Sequence, residues 1–156
     1  MNFKTLVFRL RGQIIIVLYL LGFFAPWEYF FSSSRPATLW LAASTLLART
    51  GWMELAASTA LVTAVALCCC FLGAILRVWG TAYVGASSML DFAMSGNRLV
   101  AAGPYRYLRN PLYLGNCLFA TGVAILMPLT GAVFFLAAFY LLHFALIIAE
   151  EDFLAI

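Results

Sequence analysis

Between Glu54 and Arg77 the chain carries no charged residue. A helix needs about 20 predominantly apolar residues to cross a hydrocarbon core of about 30 Å. Inside lipid such a helix satisfies its own backbone polar groups, which an irregular segment cannot do. The run 53–79 therefore reads as a membrane-spanning helix, and it sets the solvent for the rest of the chain. Three further apolar runs follow the same logic: 14–31, 111–127 and 132–149. Of the 156 residues, 65% are hydrophobic and only 10% are charged, too few to clothe a soluble domain. The expectation is a single all-α integral membrane domain over 1–156 with about four transmembrane helices.

Lys4, Arg9 and Arg11 precede the first run, which ends in the bulky Phe23-Phe24-Ala25-Pro26-Trp27. A signal peptide would end in small residues, so this reads as an uncleaved helix. Trp27 and Tyr29 fit the headgroup level. Ser32-Ser33-Ser34-Arg35-Pro36 is a break. Residues 37–48 are apolar but too short to span. They predict an interfacial or re-entrant helix, with Trp40 and Trp52 among the headgroups. The 53–79 run is rich in Ala, Ser, Thr and Gly, which permits close helix packing. Residues 80–109, with Asp91, Ser95, Gly96, Asn97 and Arg98, form a long segment of mixed chemistry, which is usually functional or disordered. Pro128 and Gly131 predict a tight turn between the last two helices.

Four spans put the N-terminus, the 80–109 loop and the C-terminus on one side. That side holds Lys4, Arg9, Arg11, Arg77, Arg98, Arg106 and Arg109, against Arg35 and Arg49 on the other. Positive charge concentrates on the cytosolic side, so both termini and the loop are expected there, in a bacterial-type inner membrane or its equivalent. Net charge is only +3 and the basic residues flank apolar runs, which argues against nucleic-acid binding. Cys68, Cys69, Cys70 and Cys117 lie within spans at spacings that suggest neither a disulfide framework nor a metal site.

The densest polar and aromatic run is Gly103-Pro104-Tyr105-Arg106-Tyr107-Leu108-Arg109-Asn110-Pro111-Leu112-Tyr113-Leu114-Gly115. Gly103 precedes a proline and is biased toward extended or turn geometry, not helix. Asn110-Pro111 is a helix start, with the Asn side chain expected to cap and Pro at the first helical position. Arg106 and Arg109 crowd the positive pole of that helix, the unfavourable sign, which suggests that an anion binds there. Glu150, Glu151 and Asp152 crowd the negative pole of the last helix on the same face. These clusters either pair with each other or frame a pocket for a zwitterionic or cationic cofactor. His143, the only histidine, shares a helical face with Glu150 and Tyr140 and reads as an interhelical hydrogen-bonding group or a functional one. Asn116 reads as interhelical glue. Tyr105, Tyr107 and Tyr113 suit either a headgroup belt or stacking on a purine or a cationic methyl donor.

At these residues the chain resembles the isoprenylcysteine carboxyl methyltransferase family and its relatives, the integral-membrane phospholipid methyltransferases. The family's G-P-Y-R-x-x-R-H-P-x-Y-x-G run reads here as Gly103-Pro104-Tyr105-Arg106, Arg109-Asn110-Pro111, Tyr113 and Gly115. Its E-E-x-x-L reads as Glu150-Glu151 and Leu154, and Leu76-Arg77-Val78-Trp79 resembles the helix end before its cofactor loop. The likeness covers about residues 76–154 and makes 76–156 the expected cofactor-binding half. It implies S-adenosylmethionine as methyl donor and a membrane lipid or lipidated acceptor that enters between helices, with no metal. It also implies donor binding by Gly103, Tyr105, Arg106, Arg109, Asn110, Tyr113, Glu150 and Glu151, with Arg109 and Glu151 as catalytic residues. Transfer to a lipid amine would need a base, which points to Glu150 or Glu151. Asn110 replaces the family's His and cannot shuttle a proton. The family pattern also continues past the Glu pair into a segment with F-G and tyrosines, part of a cofactor lid. Two rival functions fit the same residues: a nicotinamide-dependent membrane reductase of related fold, and a non-catalytic helical module.

Overall fold

The computed structural model describes residues 3–25, 38–84 and 103–154. Trp27, Tyr29, the 32–36 break, and Asp91, Ser95, Gly96, Asn97 and Arg98 lie outside the described residues. The described residues form five α-helices and one short 3-10 turn: α1 (Phe3–Phe24), α2 (Leu39–Arg49), α3 (Leu55–Val84), the 3-10 turn Gly103–Arg106, α4 (Pro111–Ala124) and α5 (Leu129–Leu154). Two of them, over Leu55–Tyr83 and Leu129–Glu151, are long and apolar enough to cross a bilayer. The described residues are all-α, as the apolar runs predict.

Several boundaries differ from the apolar runs, because a helix continues through polar residues until something stops it. α1 begins at Phe3, not near residue 14, and carries Arg9 and Arg11 within it. Arginine is a good helix former, no proline lies between Phe3 and Ile14, and the single Gly12 costs only about 1 kcal/mol relative to alanine. α3 likewise runs past Trp79 to Val84, and α5 past Ala149 to Leu154. Conversely, α4 stops at Ala124, short of Met127, and has 14 residues, about 21 Å of rise. Gly131 lies inside α5 and does not form the turn. The turn is instead built by residues 125–128, with Leu126 N–H bonding Val123 O and Met127 N–H bonding Ala124 O, both at 3.1 Å.

α2 explains where α4 ends. The first N–H groups of a helix and the last C=O groups of another lack intrahelical partners. Here they satisfy each other: Leu39 N–H donates to Met127 O and Trp40 N–H to Ile125 O, both at 2.9 Å. Thr38 caps α2 through its hydroxyl, which accepts from Leu41 N–H at 3.3 Å. With 11 residues, about 16 Å, α2 is too short to span, as expected. The Trp40 indole N–H donates to Thr63 Oγ1 at 2.9 Å and ties α2 to α3. Trp52 is 87% exposed.

α3 and α4 run antiparallel in backbone contact. A Cβ built on Gly73 would stand 2.6 Å from Gly115 O, and one on Gly122 would stand 2.6 Å from Ala66 O. The small residues of the 53–79 run therefore do admit a close neighbour. α1 lies antiparallel to α5: Gly22 sits against Phe135, and Tyr19 packs its ring on Phe135 and Phe139 at 4.6 and 6.0 Å. Leu18, Ala120, Ala124, Met127, Ala132, Phe135 and Phe139 form the apolar core. This arrangement gathers the N-terminal part of α1, the C-terminal part of α3, the N-terminus of α4 and the C-terminal part of α5 at one end of the bundle.

Candidate active site

The turn that enters α4 is fixed by Gly103. Its φ of +59° suits glycine, and a Cβ there would stand 2.5 Å from the Tyr83 ring. Pro104 is buried, and its carbonyl accepts from Tyr107 and Leu108 N–H at 3.1 and 2.9 Å. Tyr105 turns inward over Gly80, its hydroxyl 3.7 Å from where a Cβ would stand. Burial, and then the charge of Glu150, push its phenol above the usual range. Tyr105 is thus a neutral hydroxyl at physiological pH. Tyr107 and Arg106 are exposed.

Tyr113 lies in the first turn of α4 and Glu150 near the end of α5. The Tyr113 hydroxyl donates to Glu150 Oε1 at 2.6 Å, a charge-assisted bond. Arg11, from α1, acts electrostatically on both. At the rim, Arg109 Nη1 stands 3.8 Å from Glu151 Oε1, with side chains 90% and 51% exposed. The basic and acidic clusters therefore meet, as their signs predict.

Asn110 departs from expectation. It occupies the N-cap position ahead of Pro111, but its side chain makes no cap bond. Capping side chains fold back from an extended backbone, and Asn110 has φ −133° and ψ 64° instead. Its side chain lines a groove between α4 and α5.

Beneath Tyr113 runs a line of polar groups from α3 to α5. Arg77 Nη1 donates to Asn116 Oδ1. Asn116 Nδ2 stands 3.2 Å from His143 Nε2, and His143 Nδ1 stands 2.9 Å from Phe139 O. A carbonyl can only accept, so Nδ1 carries the hydrogen and Nε2 accepts from the Asn116 amide. The line has one direction, and His143, 2% exposed, is satisfied at both nitrogens. Tyr113 packs edge-on against the His143 ring at 5.6 Å. It thereby bridges His143 and Glu150, two turns apart on α5. Tyr140 lies about 60° round the helix from that row, at 100° per residue. Its hydroxyl instead meets Thr121 Oγ1 at 2.7 Å, beside the groove.

These contacts sort the expected residues into an inner set, Tyr105, Tyr113 and Glu150, and a rim set, Arg109, Asn110 and Glu151. Arg11 and the Arg77–Asn116–His143 connection were not legible as site features. Each residue is visible in the sequence as a charge or a polar group within a span, but nothing local says which partner it faces.

A family model, phospholipid methyltransferase, matches residues 61–156. The chain belongs to that family. The match takes in most of α3, the 3-10 turn, α4 and α5, and so contains both charged clusters and the polar line between them. Membership makes the protein a methyltransferase of lipid substrates and agrees with its apolar helices. It bears out the resemblance drawn from the Gly103–Gly115 run and the Glu pair. No curated protein and no solved structure matches the chain.

Proposed function

We propose that the protein transfers a methyl group from S-adenosylmethionine to the headgroup amine of a phospholipid at the cytosolic face of the membrane. The observation that carries the proposal is the Tyr113–Glu150 bond, set among aromatic rings and guanidinium groups at one end of a bundle of this family. When bound, the donor would supply a methyl carbon on a sulfonium, whose sulfur leaves with the bonding pair as a neutral thioether.

The residues present fit such a donor. Glu150 offers a carboxylate toward an ammonium or sulfonium, and the neutral Tyr105 hydroxyl is a donor beside it. Tyr113 presents an aromatic face, which attracts cations. Arg11 and Arg77 supply guanidinium groups toward the donor's carboxylate. Arg77 is held by Asn116 and, through it, by His143. These groups bind and orient, and in-line positioning is most of what methyl transfer needs. With the donor bound, the amine nitrogen would take the methyl carbon as its bond to sulfur breaks, and would give up a proton. Glu151, half-exposed at the rim, would accept that proton and pass it to water.

Four crossing segments fit this reading: α1, α3, α4 with its turn, and α5. Arg9, Arg11, Arg77, Arg106 and Arg109 all stand toward the candidate site, and Arg49 ends α2 toward the other face, which supports a cytosolic site. The test is calorimetry of the purified chain with S-adenosylmethionine, followed by mass spectrometry of phospholipid vesicles for added methyl groups. Binding of the donor and methylated lipid are expected. Binding of NADPH in its place, or of neither ligand, would reject the proposal.

A further inference from the structure

The groove between α4 and α5 has a volume of about 290 Å³ and is lined by Arg109, Asn110, Tyr113, Cys117, Tyr140 and Ile147 among others. It sits at the lower end of the volume range for small-molecule sites, about 300–1,000 Å³. It is too small for a nucleoside donor with its amino-acid tail. Its wall on α4 follows the helical spacing from Asn110 to Cys117, about 10 Å along the axis. The lining is mostly carbon, and its outer members, Leu114 on α4 and Tyr140 on α5, are exposed on the side of the bundle. Its one cation, Arg109, stands at its end beside Asn110.

We propose that this groove holds the upper part of one acyl chain of the acceptor glycerophospholipid, and that Arg109 anchors that lipid's phosphate. The inference rests on the methyltransferase reading and assigns Arg109 to the acceptor instead of the donor. Charge complementarity selects the occupant. A chain that is anionic at one end and hydrocarbon below matches a groove with a guanidinium at one end and carbon below. Arg109 is available for this role because its contact with Glu151 is long and solvent-exposed. Tyr113 forms a wall of the groove and also bonds Glu150, so a headgroup beyond the anchored phosphate is next to the inner set.

The test uses the full chain in nanodiscs with a phosphatidylethanolamine carrying a photoreactive diazirine in its acyl chain. Labelling is expected at Leu114, Cys117 or Ile147. In Arg109→Ala it falls roughly tenfold, the loss of one charge-assisted contact. Arg109→Lys retains most of it, since a lysine still holds a phosphate as a point charge. Ile147→Trp, which fills the groove, abolishes it. Calorimetric affinity for S-adenosylmethionine stays unchanged in all three variants. Equal labelling of the groove and of Phe71 and Val78 on the outer face of α3, indifferent to Arg109→Ala, would overturn the assignment. So would a loss of donor affinity in Arg109→Ala that matches the loss of lipid. Groove labelling by a chain that binds no S-adenosylmethionine would keep the lipid site and remove the methyltransferase reading.

Discussion

α4 faces two neighbours in opposite ways. Toward α3 it presents Gly115 and Gly122, and the two backbones touch. Toward α5 it presents Tyr113, Leu114 and Cys117, and these meet Tyr140 and Ile147 across a groove. One face is a seam without space for a methyl group, and the other is a cleft with room for a chain. Glycine removes the spacer on one side, and tyrosine, leucine and isoleucine keep it on the other. A helix of 14 residues can therefore be fixed rigidly and still border a binding site.

The sharpest way to break this contrast is to put a methyl group into the seam. Gly73→Ala places a Cβ against backbone atoms of α4 that cannot rotate away, at 2.6 Å from Gly115 O. It is expected to cost about 1–3 kcal/mol or more in overpacking strain. A thermal unfolding scan in detergent should show a clear drop in midpoint. Leu114→Ala, on the open face, should shift the midpoint far less. Equal shifts would show that the seam is no tighter than the groove.

The polar line comes next. His143→Leu removes the acceptor for Asn116 Nδ2 and leaves a half-buried amide hydrogen without a partner, a penalty of about 1 kcal/mol. If the line also orients Arg77, donor affinity should fall with stability, and His143→Gln should recover part of both by offering Oε1 to the same amide. A stability loss with unchanged donor affinity would confine the line to a packing role.

At the inner set, Tyr113→Phe deletes the hydroxyl that donates to Glu150 and keeps the ring. Affinity for S-adenosylmethionine should fall roughly tenfold, about 1.4 kcal/mol, as expected for one charge-assisted bond. Glu150→Gln should fall at least as far, because it also removes the charge. An unchanged calorimetric isotherm in both variants would place the donor elsewhere.

Much of this was legible beforehand, for reasons that differ from element to element. The apolar runs announced α3 and α5 because lipid leaves a charge-free segment no other structure. Helix ends were not legible: the helices run on through Arg9, Arg11, Thr81 and Glu150, since hydropathy reports the solvent and not the backbone. The early end of α4 depends on α2, whose N–H groups take the Ile125 and Met127 carbonyls across a long sequence gap. The meeting of Arg109 with Glu151 followed from signs and topology. The choice of Tyr113 as the partner of Glu150 did not, nor did the failure of Asn110 to cap. The first depends on how α4 is rotated, which the Gly73–Gly115 contact sets from the far side of the helix, and the second on the backbone angles Asn110 takes ahead of Pro111.

The smallest expected effect is at the rim. Arg109 and Glu151 lie 3.8 Å apart and both are open to solvent. A double-mutant cycle with Arg109→Ala and Glu151→Gln should give a coupling of about 0.2–1 kcal/mol at low salt. At 1 M salt, where the screening length is about 3 Å, that coupling should vanish. A larger, salt-resistant coupling would mean that the two side chains are locked together. Arg109 would then be a structural partner of α5, and the mouth of the groove would lose its anion-binding charge. A weak coupling leaves the guanidinium free to exchange a carboxylate for a phosphate.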